Sequence, residues 1–421
     1  MRRLNLLYLA AFLMQAGASA GATGAPLMAK IGFGASLWDL AIMGMASTLA
    51  YTVGCLAVGV TNARRRPFAM MIAGTAFMAV SYACGLWATR VSHLVLLFTC
   101  SGLGNAAYWP MLETALSEGA DGQRLNRRMG LFNVSWSLGD AAGTVAGGAL
   151  YDVWAKLPFV LLIVTMGFLG AAVLTARRRA VDANEPLPER FAKNGMHAGG
   201  GELNARFRNA SWVANFIGSG TVNVLRSVFA APAKDVFGMR GTAFGLVIGT
   251  FNAMRTLTFV GLREWPNWHY RTRILMAFNG LLALGMAGVV AAAFLPHGAG
   301  VGLVFVSFAA AGVGFGLTYY SSIFYSVNAE TPASSKPHLH EAVLGAGGAV
   351  AVVAAGIVNQ LSAAAAGGAA STTWNTAVSL SPLAMCAATV VAGMGASAIL
   401  IRGRAKNLEV RHEMQYPKGK G

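Results

Sequence analysis

The sequence predicts an all-α integral membrane protein, with twelve transmembrane helices in two pseudo-symmetric six-helix bundles. Three observations carry that prediction: a composition too apolar for a body surrounded by water, twelve apolar segments of membrane-crossing length, and an internal repeat. Of 421 residues, 55% are hydrophobic, 11% are charged and 52 are glycine, and mean hydropathy is +0.54. Soluble domains carry about 25% charged residues, so too little polar surface exists here to cover a water-soluble body. A cytosolic enzyme, a disordered chain and a collagen-like chain are excluded on that ground. Cys55, Cys84, Cys100 and Cys386 sit singly in apolar runs and read as small packing residues rather than as a disulfide or metal framework.

A bilayer core about 30 Å thick is crossed by ~20 helical residues rising ~1.5 Å each. Segments of that length lie at 4–28, 38–62, 67–88, 92–115, 128–151 and 157–176, and again at 209–233, 241–262, 273–295, 299–326, 340–363 and 377–401. The first follows Arg2 and Arg3 and contains the small-residue run Ala16–Ala25, a pattern shared with secretory leaders. An uncleaved helix keeps the six-plus-six arrangement and is the reading adopted. With the N-terminus inside, 25 of the 32 Lys and Arg fall on the cytoplasmic side, five outside and two within spans. That bias obeys the positive-inside rule and places both termini in the cytoplasm of a bacterium-like inner membrane. The net charge of +16 is therefore a signal of topology and of contact with anionic membrane lipids, not of nucleic-acid binding.

The polar stretch 177–208, with Pro186, Pro188 and Gly199 to Gly201, reads as a cytoplasmic linker between an N-terminal bundle, 1–176, and a C-terminal bundle, 209–401. Residues 402–421 form a basic cytoplasmic tail. The halves echo one another. Span 5 carries Asn133, Gly139, Gly148 and Asp152, and span 11 carries Glu341, Gly347, Gly356 and Gln360, with offsets of 6, 15 and 19 in both. Span 4 has Gly104 with Tyr108 and Trp109 where span 10 has Gly314 with Thr318 and Tyr319.

Three motifs carry a resemblance to a family. Gly139-Asp-Ala-Ala-Gly143-Thr-Val-Ala-Gly147-Gly148 resembles the fifth-helix pattern GxxxGPxxGG of the major facilitator superfamily of secondary transporters, with Thr144 in place of proline. The turn Gly59–Pro67 lies where that family places GxxxDRxGRR and keeps only the cluster Arg64 to Arg66. Ser101-Gly102-Leu103-Gly104-Asn105-Ala106 is similar to the fourth-helix RxxQGxGxA pattern, with Phe98 at the arginine position. The missing arginine and proline argue against drug–proton antiport. The resemblance implies a central cavity formed by spans 1, 4, 7 and 10, and a seam between halves formed by spans 2, 5, 8 and 11.

An ionisable group in mid-membrane is expensive and normally faces protein or water. Asp140 lies twelve residues into span 5 and shares a helical face with Asn133, Trp136, Ser137 and Thr144. It reads equally as a proton-coupling or solute-binding carboxylate and as a fixed ion-pair partner. Arg255, near the middle of span 8, is its natural partner. Arg226, in the outer half of span 7, follows the stripe Asn215, Ser219 and Asn223, and has Asp39 and Asp235 as alternative partners. Two arginines against one deep aspartate leave surplus positive charge, which favours an anionic solute.

The cavity-forming spans offer Gln15 and Ser19; Asn105, Tyr108 and Trp109; Asn215 and Asn223; and Tyr319, Tyr320, Ser322 and Tyr325. Such aromatics and amides suit a small polar solute. Glu113 at the inner end of span 4 has Arg127 and Arg128 within reach as a cytoplasmic gate, and Glu341 begins span 11. His338-Leu-His340-Glu341 has no second ligand cluster nearby in sequence, so no metal and no cofactor are expected. No GxSxG, P-loop or HExxH pattern occurs, and the chain is expected not to be an enzyme. The function these features favour is alternating-access transport of a small polar, anionic solute by a monomer, driven by protons. The rival is a transport-inactive relative serving as an assembly or sensing factor, which requires no continuous polar lining.

Overall fold

Long apolar runs broken by short polar turns leave the backbone no partner but itself, and α-helices satisfy every N–H and C=O within one segment. The computed structural model describes residues 2–61, 66–117, 120, 122–182, 201–327, 337–366 and 372–402. Among them are thirteen α-helices and no strand: α1 (Arg2–Leu27), α2 (Leu37–Val60), α3 (Pro67–Gly85), α4 (Val91–Ser117), α5 (Gly122–Val153), α6 (Leu157–Asp182), α7 (Gly201–Asn223), α8 (Ala230–Asp235), α9 (Gly241–Glu264), α10 (Thr272–Ala292), α11 (His297–Val327), α12 (Pro337–Ala365) and α13 (Thr372–Arg402). Arg64 and Arg65 of the arginine cluster, residues 183–200 of the expected linker, Lys336 and the tail beyond Arg402 lie outside the described residues. The described ends of the linker are helical, because α6 runs on to Asp182 and α7 begins at Gly201.

Nine of these helices are long and apolar enough to cross a membrane. The other long ones, α4, α5 and α7, have 27, 32 and 23 residues, so length is not what sets them apart. They carry the asparagines, the buried carboxylates and the basic ends that lower their apolarity. Side chains such as Val80, Leu96, Phe168, Val306 and Ile399 are exposed on the outer faces of apolar helices, where lipid is their natural solvent. The protein is a multi-pass membrane protein.

Helix pairings repeat across the two parts of the chain. α1 packs on α5 and α6, α2 on α4, and α3 on α4 and α6. The same relations recur as α7 on α12 and α13, α9 on α11, and α10 on α11 and α13. Two further contacts join the parts: α5 on α9 and, in the equivalent place, α2 on α12.

Close backbone approach explains the first of the shared glycine offsets. A Cβ at Gly139 would lie 2.3 Å from the backbone oxygen of Phe12, and one at the matching Gly347 would lie 2.0 Å from that of Phe216. Backbone cannot yield as a flexible side chain can, so only glycine fits and dispersion between closely set helices holds the contact. Gly170 on α6 meets nothing within 4 Å. Gly139→Ala and Gly347→Ala are expected to destabilise the purified protein by ~1–3 kcal/mol each, the usual cost of overpacking. Gly170→Ala should leave the thermal midpoint in detergent unchanged or slightly raised.

Candidate functional site

The polar face of α5 meets its counterpart on α9 at the seam. Asp140, fully buried, receives both arginines at Oδ2: Arg255 Nη2 at 2.5 Å and Arg226 Nη2 in a shorter contact. Ser19 Oγ of α1 donates to the other carboxylate oxygen, and Gln15 Nε2 donates to Ser19 Oγ at 3.0 Å. Arg255 Nε donates to Ser137 Oγ at 3.0 Å, and its guanidinium carbon lies 4.4 Å from the centre of the Trp136 ring. Thr256 Oγ1 donates to Ser137 Oγ at 2.8 Å. Asn252 Nδ2 donates to Thr144 Oγ1 at 3.2 Å, so the residue in the motif's proline position contributes to the seam. Ser137, Asp140 and Thr144 are spaced three and four residues apart, as Asn252 is from Arg255 and Thr256, which is why one face of α5 can meet one face of α9.

Arg226 reaches Asp140 from an irregular turn. Residues Val224–Val228 form a single π turn between α7 and α8, in which Phe229 N bonds to Val224 O at 3.0 Å. Such wide turns re-aim side chains and cluster at functional sites. The partners considered for Arg226 from sequence are engaged elsewhere. Asp39 caps α2 together with Ser36, and Asp235 pairs with Lys30 at 2.9 Å.

A cavity of about 220 Å³ opens beside this ion triad. Asp140, Arg226 and Arg255 form part of its wall, and Gln15, Asn105, Trp109, Asn223 and Tyr319 also line it. Asn105 accepts the Trp109 indole N–H at 2.9 Å, and Asn223 Nδ2 donates to Ser219 O at 2.9 Å. Several expectations are corrected. Asn133 faces away from the cavity and accepts the Trp136 indole N–H at 3.0 Å. Asn215, Tyr108, Tyr320, Ser322 and Tyr325 do not line it either, because the helical turn that exposes their neighbours buries them between helices.

The gate expected at Glu113 is also corrected. Arg127 is exposed and Arg128 Nη1 donates to Leu116 O at 3.2 Å, whereas Glu113 turns inward and is fully buried. Its carboxylate lies with His340 and Glu341 of α12, and the ligand atoms of all three are within 4.8 Å of one another. Neither Glu113 oxygen has a hydrogen-bond partner. Tyr51 of α2 donates its hydroxyl to Glu341 Oε2, and Ser322 Oγ is 2.8 Å from His340 Nδ1. This set has the donor types of a metal centre, so the sequence argument against one lacked Glu113, a ligand brought in from 227 residues upstream of His340. Tyr51 escaped the sequence analysis because a lone tyrosine in an apolar helix is indistinguishable from a packing residue.

Removing one partner from a buried ion pair leaves an uncompensated charge, at a cost of ~3–5 kcal/mol. Asp140→Asn, which strands the buried Arg255, should lower stability by about that amount in chemical unfolding of the detergent-solubilised protein, and Arg255→Gln by less, since Arg226 still pairs with Asp140. The double variant should be less destabilised than the two single effects added together, with a coupling of ~0.5–3 kcal/mol.

The chain is similar to known proteins along its whole length. It is 29% identical over 156 residues to an uncharacterized MFS-type transporter, MJ1560, of Methanocaldococcus jannaschii, an alignment that covers 36% of this chain and 39% of that one. The match thus spans about two fifths of that relative's length. The crystal structure of a bacterial homolog to the human lysosomal transporter Spinster, inward-facing and unoccupied, superimposes with a TM-score of 0.61 at 14% identity over 99% of both chains. That of the nucleoside transporter NupG gives 0.66 at 12% identity, over 96% of this chain and 100% of the other. At these identities the likeness establishes the fold. The profile of the Major Facilitator Superfamily matches residues 7–359, and the chain belongs to that family.

Proposed function

We propose that this protein is a secondary active transporter that moves a small polar solute bearing an acidic group across the inner membrane by alternating access. In this reading twelve spans form two six-helix bundles, residues 1–176 and 209–401, joined by the stretch 177–208, with both termini cytoplasmic. The repeated helix pairings and the bias of Lys and Arg towards one side support that arrangement. The working unit is a monomer, since each chain supplies a cavity at its own pseudo-two-fold seam.

One observation carries the solute class. Two guanidinium groups share a single carboxylate at the cavity wall, so the triad holds surplus positive charge where a solute can reach it. Arg226 is the accessible member, with a side chain 26% exposed against 2% for Arg255. A solute acid that engages Arg226 competes directly with Asp140, which makes Asp140 the candidate coupling carboxylate for a proton. Charged and amide side chains from both parts of the chain on the cavity wall favour a carrier over a transport-inactive assembly or sensing factor, for which no such groups are needed.

Transport of organic acids into proteoliposomes tests the reading. A charged hydrogen bond is worth ~1.5–3 kcal/mol, so Arg226→Gln should lower kcat/KM for the acid by about 10- to 150-fold, with a thermal midpoint close to that of the parent. Asp140→Asn, where it folds, should retain solute exchange and lose accumulation driven by a proton gradient. Undiminished accumulation in that variant removes the coupling role.

A further inference from the structure

The cavity has two poles of opposite charge, and the second pole is not used by an acidic solute. At one end, two arginines face one carboxylate. At the other, Glu341 lines the cavity with Tyr51, and the Glu113 carboxylate lies behind it. Among the described residues, no lysine or arginine pairs with either glutamate; His340 Nε2 lies 3.7 Å from Glu341 Oε1, and both oxygens of the fully buried Glu113 are without a donor. Two carboxylates withdrawn from water beside each other are relieved by a shared proton or by a cation, and an ammonium group supplies the cation. The charged side chains on the cavity wall, Asp140, Arg226, Arg255 and Glu341, sum to zero. A plain anion answers only one end of that wall.

The poles are also held apart. Arg255 lies over Trp136 at 4.4 Å, Trp136 meets Tyr319 at 4.9 Å between ring centres, and Tyr319 meets His340 at 5.2 Å. Asn223, three residues before Arg226, lies against α12 at Gly348, where an added Cβ would be 2.7 Å from its Nδ2, and Gly348 is seven residues, ~10 Å of helix rise, from Glu341. An α-amino acid, whose amine and acid sit on one carbon, spans about one residue length, ~3.5 Å. A chain with its charges at opposite ends reaches further, and its methylenes pack on Trp136 and Tyr319. The volume of about 220 Å³ lies below that of drug-sized pockets, ~300–1,000 Å³, which keeps the solute small.

We infer that the solute is a zwitterion of the ω-amino acid type, with its carboxylate at Arg226 and Arg255 and its ammonium at Glu341. This rests on the transport reading above and names the solute class for the same cavity.

A matched set of probes tests it on the full-length protein: 6-aminohexanoate, hexanoate and hexylamine, which differ only in which charged end is present, together with alanine. Binding is read from the thermal midpoint, since a ligand of the folded state raises it. The expected result is an apparent Kd for 6-aminohexanoate at least tenfold tighter than for the other three. Glu341→Gln should reduce its affinity to that of hexanoate, and Arg226→Gln to that of hexylamine. The probe comparison in the parent protein stands even where a variant fails to fold. Hexanoate binding as tightly as 6-aminohexanoate overturns the ammonium pole and leaves acidic-solute transport standing. Alanine binding as tightly overturns the separation of the poles. Retention of one equivalent of Zn²⁺ or Mn²⁺ through dialysis, lost in Glu113→Gln and indifferent to 6-aminohexanoate, assigns the acidic pole to a metal and overturns the inference.

Discussion

One buried carboxylate holding two guanidinium groups from the other half of the chain is the interaction on which this architecture turns. Asp140 comes from α5, while Arg255 and Arg226 come from α9 and the π turn after α7. Charge this deep is tolerated only when paired and hydrogen-bonded, and the two fully buried members have further partners: Ser19 for Asp140, Ser137 for Arg255. Breaking the group in the absence of a replacement partner is costly. Whatever opens the seam between α5 and α9 must therefore supply that partner, and a bound solute or entering water is the natural source.

The seam has the parts that such an exchange requires. Glycines at matched positions bring α5 against α1 and α12 against α7 at backbone distance, giving each half a rigid pair of helices. Between α5 and α9 glycines also meet backbone, where a Cβ at Gly148 would lie 2.3 Å from Gly241 O. Contacts between the two parts of the chain add hydrogen bonds at defined points, such as Asp152 accepting from Gly241 N at 3.1 Å and Thr242 N at 2.7 Å at the end of α5, and Tyr51 donating to Glu341 near the start of α12.

The charge pattern around the cavity follows from the same duplication. Asn133 of α5 and Glu341 of α12 occupy equivalent positions in the repeat, yet Asn133 lies off the cavity and Glu341 lines it. Asp140 has no acidic counterpart on α12, where Gly348 holds the matching place seven residues after Glu341. The differences at these two pairs of positions leave one carboxylate of the cavity wall facing arginines and the other facing another acid.

Composition, span length and the matching offsets from Asn133 and from Glu341 were enough to read the helical membrane class and the repeated pattern, because these depend on the solvent and on local periodicity; the seam-forming helices were implied by the family resemblance. The polar stripe through Asp140 and the in-membrane position of Arg255 were likewise legible, since a charge in an apolar run is conspicuous by its cost. What the chain alone could not decide was partnership. Arg226 had three carboxylates in prospect, and a single π turn selected Asp140. Glu113 had two arginines nearby in sequence, and the pitch of α4 turned it inward to Glu341 and His340, more than two hundred residues away. Periodicity specifies which face of a helix is polar, but the azimuth at which two such faces meet is set by packing against every neighbouring helix at once.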